Sequence, residues 1–317
     1  MRFGVPSNGW VTFFCGAAMQ FNKPPLSYQE QISQLKARGL VIDDEQQAEH
    51  YLKHLNYYRL SGYWLPFEQD HASHRFKPDA RFEDVLNLYV FDRELRLLLL
   101  DAIERIEISV RATWAYVLAS KYGAHSYLDS GHCHRTDWHQ SNLSKLAREI
   151  ERSDELFITH YKAKYTEPQM PPIWSVVEVM SLGMLSRWIT NLKPSDRADV
   201  ALNYQLNEQV LKSFIRHLAY VRNLCAHHSR VWNRKLTVTT KPPKKPQRLK
   251  ASCNLEQPRR IYNTLVICHH FMGQISPGST WTQRLLKLVE QHNIDPKAMG
   301  FPANWQSLEL WKEANAQ

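Results

Sequence analysis

The amino-acid sequence predicts an all-α protein built as a bundle of helices. Glycine accounts for only 11 of the 317 residues, about half of its usual ~7% share, which argues against Gly-rich phosphate loops and large β-barrels. No Gly or Pro occurs between Pro78 and Gly123, and apolar residues recur there at three- and four-residue steps, as in an amphipathic helix. The sequence shows no convincing alternating pattern of a β-strand longer than about four residues.

Two short helices are predicted first. Ser27 and Glu30 form a capping box and Gly39 is a typical stop, which places a helix at residues 28–38. Asp43, followed three residues later by Gln46, is expected to cap a second helix. The aromatic stretch 56–67, which contains glycine and proline, is predicted to be a packed turn rather than a strand.

The uninterrupted stretch after Pro78 predicts one helix of about 38 residues, roughly 57 Å long. A helix of this length finds partners along its whole face only in a helical bundle. The remaining predicted helices lie near 141–152, 154–165, 173–192, 207–228, 259–274 and 280–292, and a packed tail follows.

This pattern predicts five segments. Residues 1–20 are expected to be a disordered tail or an over-extended start, because Met19 is a plausible beginning and the apolar run before it is too short to span a membrane. The other segments are a helical and aromatic subdomain (21–78), the main bundle (79–240), a basic Pro-rich loop (241–258) and C-terminal helices packed on the bundle (259–317).

The chain is basic and its cysteines are irregular. A net charge of +9 indicates a polyanionic partner, most often nucleic acid, although a basic protein without such a partner stays an alternative. Five cysteines, an odd number without a CxxC pair, indicate free thiols in a reducing compartment. We therefore expect a cytoplasmic protein that does not enter the membrane.

Residues 221–230 concentrate groups capable of chemistry. In steps of 100° per residue, Arg222 falls about 40° from Leu218, inside the apolar stripe, whereas His227 falls on the opposite side. An inward arginine requires a partner or a polar seam. The pattern thus predicts that either the helix distorts near residue 226 or two subunits each supply a copy of the site.

These residue types can cleave RNA together. Histidine titrates near neutral pH and can transfer a proton, and arginine binds phosphate and stabilises its developing charge. In this hypothesis His227 aids attack by the RNA 2′-OH, Arg222 holds the phosphate, and Asn223 orients the imidazole or binds a phosphate oxygen. The products are a 2′,3′-cyclic phosphate and a 5′-OH. The Arg-to-His spacing is a weak signal by itself, and ordinary capping or core histidines are the alternative.

Three motifs resemble the Abi (AbiD/AbiF-like) abortive-infection family: NYYRLSGYW at 56–64, FDRELR with IERIE at 91–107, and RNLCAHHSRVWNR at 222–234. They occur in family order, and the resemblance covers roughly residues 20–237. It implies a HEPN-type helical bundle and a dimeric, metal-independent ribonuclease acting in phage defence, in some members a toxin restrained by a small structured RNA. It assigns the active-site arginine to Arg222, the polar neighbour to Asn223 and the histidine to His227, with His228 as a second candidate.

Seven basic residues around the following segment are candidates for RNA binding, with a solvated loop as the alternative: Arg230, Arg234, Lys241, Lys244, Lys245, Arg248 and Lys250. The clusters at His132–His134 and Cys268–His270 lack the paired spacing of structural zinc, so neither a metal nor a cofactor is expected. Asp92, Glu104 and Glu107 are expected to neutralise arginines, and each is a possible partner of Arg222.

The sequence therefore predicts a homodimeric HEPN endoribonuclease toxin with RNA as its substrate. Two alternatives stay open: a non-catalytic HEPN protein that binds RNA, and a helical scaffold for protein partners.

Overall fold

The computed structural model describes residues 24–315, which form fourteen α-helices and one two-stranded hairpin. The predicted all-α class is confirmed. The predicted N-terminal tail and Cys15 lie outside the described residues. The chain divides into two compact units, residues 1–83 and 84–317. No helix within 24–315 has both the length and the apolar character needed to cross a membrane.

The first unit contains three helices and the hairpin: α1 (Tyr28–Ala37), α2 (Glu45–Leu55), α3 (Tyr57–Trp64), β1 (Glu68–Asp70) and β2 (Arg75–Phe76), with the two strands antiparallel. The capping box of Ser27 with Glu30 is confirmed at the start of α1. Helix α2 begins one residue later than predicted, because Asp44 rather than Asp43 accepts a hydrogen bond from the N–H of Gln47.

The aromatic stretch at 56–67 is mainly helical, so the predicted packed turn is wrong for most of it. Asn56 caps α3 through its side chain, which accepts from the N–H of Tyr58, and it does so with a positive φ of 69°. The helix passes through Gly62 because burial of Tyr63 and Trp64 outweighs the local cost of glycine. The expected aromatic packing is present, although Tyr58 is 86% exposed.

The second unit is built around the long helix α4 (Phe82–Tyr122), which confirms the predicted long helix. The other helices are α5 (Thr136–Arg152), α6 (Leu156–Lys164), α7 (Ile173–Val176), α8 (Leu182–Asn191), α9 (Pro194–Leu202), α10 (Glu208–Ala226), α11 (Gln247–Ser252), α12 (Tyr262–Ile275), α13 (Trp281–Gln291) and α14 (Glu309–Asn315).

The single helix predicted at 173–192 is two helices, α7 and α8. The chain breaks at Met180, whose carbonyl accepts a hydrogen bond from the guanidinium of Arg111 on α4, and Ser181 caps the new helix by accepting from the N–H of Met184. Helices α9 and α11 were not predicted, because both are short and follow or begin with proline. The Pro-rich loop predicted at 241–258 therefore contains a helix.

Helix α10 packs against α8, α9 and α12. It begins after Asn207, whose side chain accepts from the N–H of Gln209, and its apolar stripe of Leu211, Phe214 and Leu218 is fully buried. This packing fixes the direction of the helix and therefore places its C-terminal end, where the candidate residues lie.

Candidate functional site

The candidate site lies at the C-terminal end of α10, where the helix stops in a Schellman motif. The N–H groups of His228 and Ser229 donate to the carbonyls of Cys225 and Leu224 at 3.0 and 2.9 Å. His228 has a positive φ of 56°, at the position where glycine is usual. A side chain there costs about 1 kcal/mol, and such strain is concentrated at functional sites.

The four catalytic candidates, Arg222, Asn223, His227 and His228, are all exposed. The inward orientation expected for Arg222 is wrong. In the last turns of α10, neighbouring parts of the protein cover only a narrow sector of the helix around Cys225, which is buried. Arg222 lies about 60° away from Cys225 around the helix axis and is left outside this sector. A helical wheel gives the direction of a side chain but not how far the neighbouring elements extend.

The loop that follows α10 is held by Asp92 of α4, which is completely buried. One carboxylate oxygen, Oδ1, accepts from the N–H groups of Val231 and Trp232 at 3.0 and 2.6 Å. The other oxygen, Oδ2, pairs with the guanidinium of Arg96, one turn along α4 and itself buried. Two of the sequence motifs, 91–107 and 222–234, therefore meet at this ion pair.

The acidic residues of α4 behave largely as expected. Asp92 neutralises Arg96, and Glu107 pairs with Arg111 at 2.5 Å. Glu104 is exposed. Each of these two carboxylates thus forms an ion pair with an arginine of its own helix, one turn further along the chain.

After this loop, the chain runs back along α10. Three hydrogen bonds fix this return segment, residues 237–241, and they join Thr237 N–H to the Tyr220 hydroxyl (3.3 Å), His217 Nδ1 to the Val238 carbonyl (2.8 Å) and Lys241 N–H to Ser213 Oγ (2.7 Å). The basic segment therefore begins beside Ser213, and not beside the histidines.

His217 anchors the return segment from inside the core. Burial lowers the pKa of His217 to about 4, so the ring is neutral. Because a carbonyl can only accept, Nδ1–H donates to Val238, and Nε2 then accepts from the hydroxyl of buried Thr264 at 2.7 Å. His217 is thus a structural histidine.

Tyr220 stands next to the candidate site and was not predicted. Its partial burial raises the pKa of the hydroxyl, but the hydrogen bond from Thr237 and the positive charge of Arg234 outweigh this and lower the pKa below its ordinary value. Arg234, one of the predicted RNA-binding residues, therefore lies beside the Tyr220 hydroxyl.

The predicted RNA-binding residues differ in exposure. Lys241, Lys244, Lys245 and Lys250 are exposed, whereas Arg230, Arg234 and Arg248 are half-buried. Two further basic residues, Arg259 and Arg260, hold the loop after α10. Their guanidinium groups donate to the carbonyls of Leu236 and Asn233 at 3.0 and 2.6 Å.

A longer charge pattern includes both the site and the basic segment. Residues 209–255 contain no Asp or Glu. The eleven basic residues of this stretch are Lys212, Arg216, Arg222, Arg230, Arg234, Lys235, Lys241, Lys244, Lys245, Arg248 and Lys250. The absence of acidic residues on α10 after Glu208 is a signal in the sequence that could have indicated the whole helix, and not only its C-terminal end, as a surface for a polyanion.

Among residues 24–315, no three His, Cys, Asp or Glu side chains are grouped so that they could hold a metal ion. The four cysteines in that range, Cys133, Cys225, Cys253 and Cys268, are free thiols.

Comparison with known proteins gives one match. The model of the family described as Abi-like protein matches residues 50–233, from α2 to the loop after α10. No curated protein sequence and no solved structure matches the chain. The matched region is more than half of the chain, includes nearly all of the three motifs and ends just after the loop held by Asp92. The chain therefore belongs to the Abi-like protein family.

Proposed function

We propose that this chain is a metal-independent endoribonuclease toxin of the HEPN superfamily that acts in abortive-infection defence against phage. The observation that carries the proposal is the set of exposed groups at the end of α10: Arg222, Asn223, His227 and His228 face solvent within one motif. Family membership supports the role in abortive infection.

The reaction needs a base, an acid and a cation, and these residues supply all three. His227 takes the proton of the RNA 2′-OH, and the 2′ oxygen attacks the adjacent phosphorus. The bond from phosphorus to the 5′ oxygen breaks, and His228, in its protonated form, donates a proton to that oxygen. Arg222 binds the non-bridging oxygens, whose negative charge grows in the transition state. The products are a 2′,3′-cyclic phosphate and a 5′-OH.

In a homodimer, Arg222 and His227 can meet across the interface. Arg222 and His227 are five residues apart, which places them about 140° apart around the axis of α10. One straight helix end therefore directs the two side chains to different sides. Two copies related by a two-fold axis, with their 222–228 segments facing each other, bring the arginine of one chain to the histidine of its partner.

The test is cleavage of labelled single-stranded RNA by the purified chain in EDTA. The wild type should leave cyclic phosphate ends and should fail on RNA with a single 2′-deoxy substitution at the scissile position. His227→Ala should lower the rate by about 10²–10⁴-fold with RNA binding retained. Lys145→Ala, at an exposed position on α5, is the control and should cleave normally.

Each alternative gives a different result. Wild-type protein that binds RNA and leaves it intact would be an RNA-binding protein and not a nuclease. Protein that neither binds nor cleaves RNA would favour the scaffold. A folded His227→Ala variant that cleaves at the wild-type rate would remove His227 from the active site.

A further inference from the structure

One face of α10 carries a row of polar residues that ends at the candidate site. Arg216, Tyr220, Asn223 and His227 are spaced four, three and four residues apart, which places them within about 60° of one another on the side opposite buried Leu218. Arg216, Asn223 and His227 are exposed and Tyr220 is half-buried. The row thus forms a continuous polar face about three turns long.

We propose that this face of α10 is a track for extended single-stranded RNA, in which Arg216 and the pair of Tyr220 with Arg234 bind successive phosphates on the way to His227. This inference rests on the proposed function, because it assumes that RNA is cleaved at His227. It adds the form of the substrate and two residues outside the catalytic motif.

The chemistry of Tyr220 fits a phosphate. Its hydroxyl oxygen accepts a hydrogen bond from the N–H of Thr237, and a tyrosine hydroxyl can also act as a donor. The guanidinium of Arg234 lies beside it. A hydroxyl donor next to a fixed cation is a combination that binds phosphate oxygens well.

The spacing fits an extended strand. Neighbouring residues of the row are about one helical turn, ~5.4 Å, apart along the axis, a distance comparable with that between neighbouring phosphates in an unpaired strand. Arg216 lies eleven residues before His227, or about 17 Å, a length that corresponds to a few nucleotides. A strand of a duplex winds away from a straight helix over such a length, whereas an unpaired strand can follow it.

The basic segment continues the track at its far end. Lys241 is hydrogen-bonded through its N–H to Ser213, fourteen residues or about 21 Å before His227. An RNA strand that runs along α10 from Lys241 to His227 therefore passes Arg216 and Tyr220. The absence of acidic residues from 209 to 255 leaves no carboxylate of this segment to repel the phosphates.

Binding of a non-cleavable RNA tests the track. Fluorescence anisotropy would use a labelled 2′-O-methyl 12-mer, the matching 3-mer and a 12-base-pair duplex. Arg216→Ala should weaken binding of the 12-mer about tenfold at low salt and reduce the slope of log K against log[salt] by about 0.7, the value for one phosphate contact on a single strand. Tyr220→Phe should weaken binding about threefold with the slope unchanged, since it removes a donor but no charge. Lys145→Ala, outside the track, should bind like the wild type.

A comparison of RNAs of two lengths distinguishes the loss of a direct contact with Arg216 from a general effect of the substitution on folding. The 3-mer is too short to reach Arg216 from the cleavage point, so Arg216→Ala should not change its binding, nor the cleavage of an unmodified 3-mer of the same sequence. Equal losses on the 3-mer and the 12-mer, wild-type binding of the 12-mer by both variants, or the same Arg216 dependence on the duplex would each overturn the track.

These binding measurements, together with the cleavage assay described above, distinguish the two proposals. If the wild type cleaves RNA, and Arg216→Ala and Tyr220→Phe bind and cleave RNA like it, the ribonuclease proposal stands and the track proposal is wrong. If the wild type binds the 12-mer through Arg216 but does not cleave RNA, the track stands as a binding surface and the ribonuclease proposal is wrong.

Discussion

The carboxylate of Asp92 accepts a hydrogen bond of 2.6 Å from the backbone N–H of Trp232. This contact joins the middle of the unit, helix α4, to the loop that leaves the candidate site. Because Asp92 also pairs with buried Arg96, two charges and two backbone groups are satisfied together away from water. Such a cluster contributes little net stability when complete, but it is costly to break, since removal of one charge leaves the opposite charge buried without its compensation.

Removal of the Asp92 carboxylate should therefore destabilise the fold. We expect Asp92→Ala to lower the free energy of unfolding by about 3–5 kcal/mol, because Arg96 stays buried and loses the carboxylate that neutralises it. Asp92→Asn keeps an acceptor for Trp232 and should lose less. The measurement is urea denaturation, with Glu104→Ala as the control at an exposed position of the same helix. Equal midpoints for Asp92→Ala and the control would contradict this role.

Gly300 supports the same loop from the C-terminal part of the chain. Its φ is +89°, and a Cβ atom would lie 2.4 Å from the Cβ of Arg260, whose guanidinium donates to the carbonyl of Asn233. Gly300→Ala should destabilise the fold by more than about 1 kcal/mol, through backbone strain and displacement of Arg260.

The control for Gly300 is Gly273→Ala in α12, where a Cβ atom meets nothing within 4 Å. That substitution should leave the melting temperature unchanged or raise it, because alanine is the better helix former. A melting temperature of Gly300→Ala at or above that of the wild type would remove Gly300 from the support of the loop.

Local signals in the sequence predicted much of the fold. The capping box at Ser27 and the long periodic stretch of α4 act over a few residues or one helix face, so their consequences can be predicted without the tertiary structure. The errors at 56–67 and 173–192 have the opposite cause. Burial of Tyr63 and Trp64 overrides Gly62, and the contact of Arg111 with Met180 lies at a break that the apolar pattern crosses without a signal.

The sequence predicted which segment carries the candidate residues, but not how the structure arranges them. The residue types at 222–228 marked this segment as the candidate, because histidine can transfer a proton and arginine can bind phosphate. The exposure of Arg222, the anchoring by Asp92 and the return of 237–241 along Tyr220 each depend on contacts between elements far apart in sequence. No periodicity of a single helix contains that information.

The buried histidines should make the fold sensitive to acid. Burial lowers the pKa of His217 to about 4, and that of His269, on α12, to about 4 as well. Between the pKa of an unfolded histidine, about 6.5, and about 4, the unfolded chain binds protons that the folded chain does not. Stability should therefore be complete above about pH 6.5 and fall as the pH drops, by up to about 1.4 kcal/mol per pH unit for each histidine.

Urea midpoints at pH 7 and pH 5 measure this effect. The wild type should lose stability between them, and His217→Gln, which removes one titrating group, should lose less over the same interval. Identical pH dependence in the two proteins would show that His217 is protonated in the folded chain.

The exposed lysines of the basic segment should govern how RNA binding depends on salt. The double substitution Lys244→Ala with Lys245→Ala should weaken binding of single-stranded RNA and reduce the slope of log K against log[salt] by about 1.4, two phosphate contacts at about 0.7 each. The cleavage rate at saturating RNA should stay unchanged. Lys145→Ala with Lys297→Ala, two other exposed lysines, is the matched control, and an equal loss of slope there would mean that the segment has no special role.

The composite site across two chains can be tested by complementation. Arg222→Ala and His227→Ala homodimers should both be inactive, for want of the phosphate clamp or the proton shuttle. When the two variants are co-expressed with different affinity tags, a mixed dimer has one intact arginine and one intact histidine on different chains. If the active site takes one residue from each chain, the mixed dimer recovers one of its two sites, so the unsorted mixture should regain about a quarter of wild-type cleavage.

If each chain instead builds its own site, every site in the mixture lacks one residue, and purified mixed dimers would be as inactive as the parents. A monomeric wild type that cleaves RNA at micromolar concentration would lead to the same conclusion, and either result would confine Arg222 and His227 to a single chain.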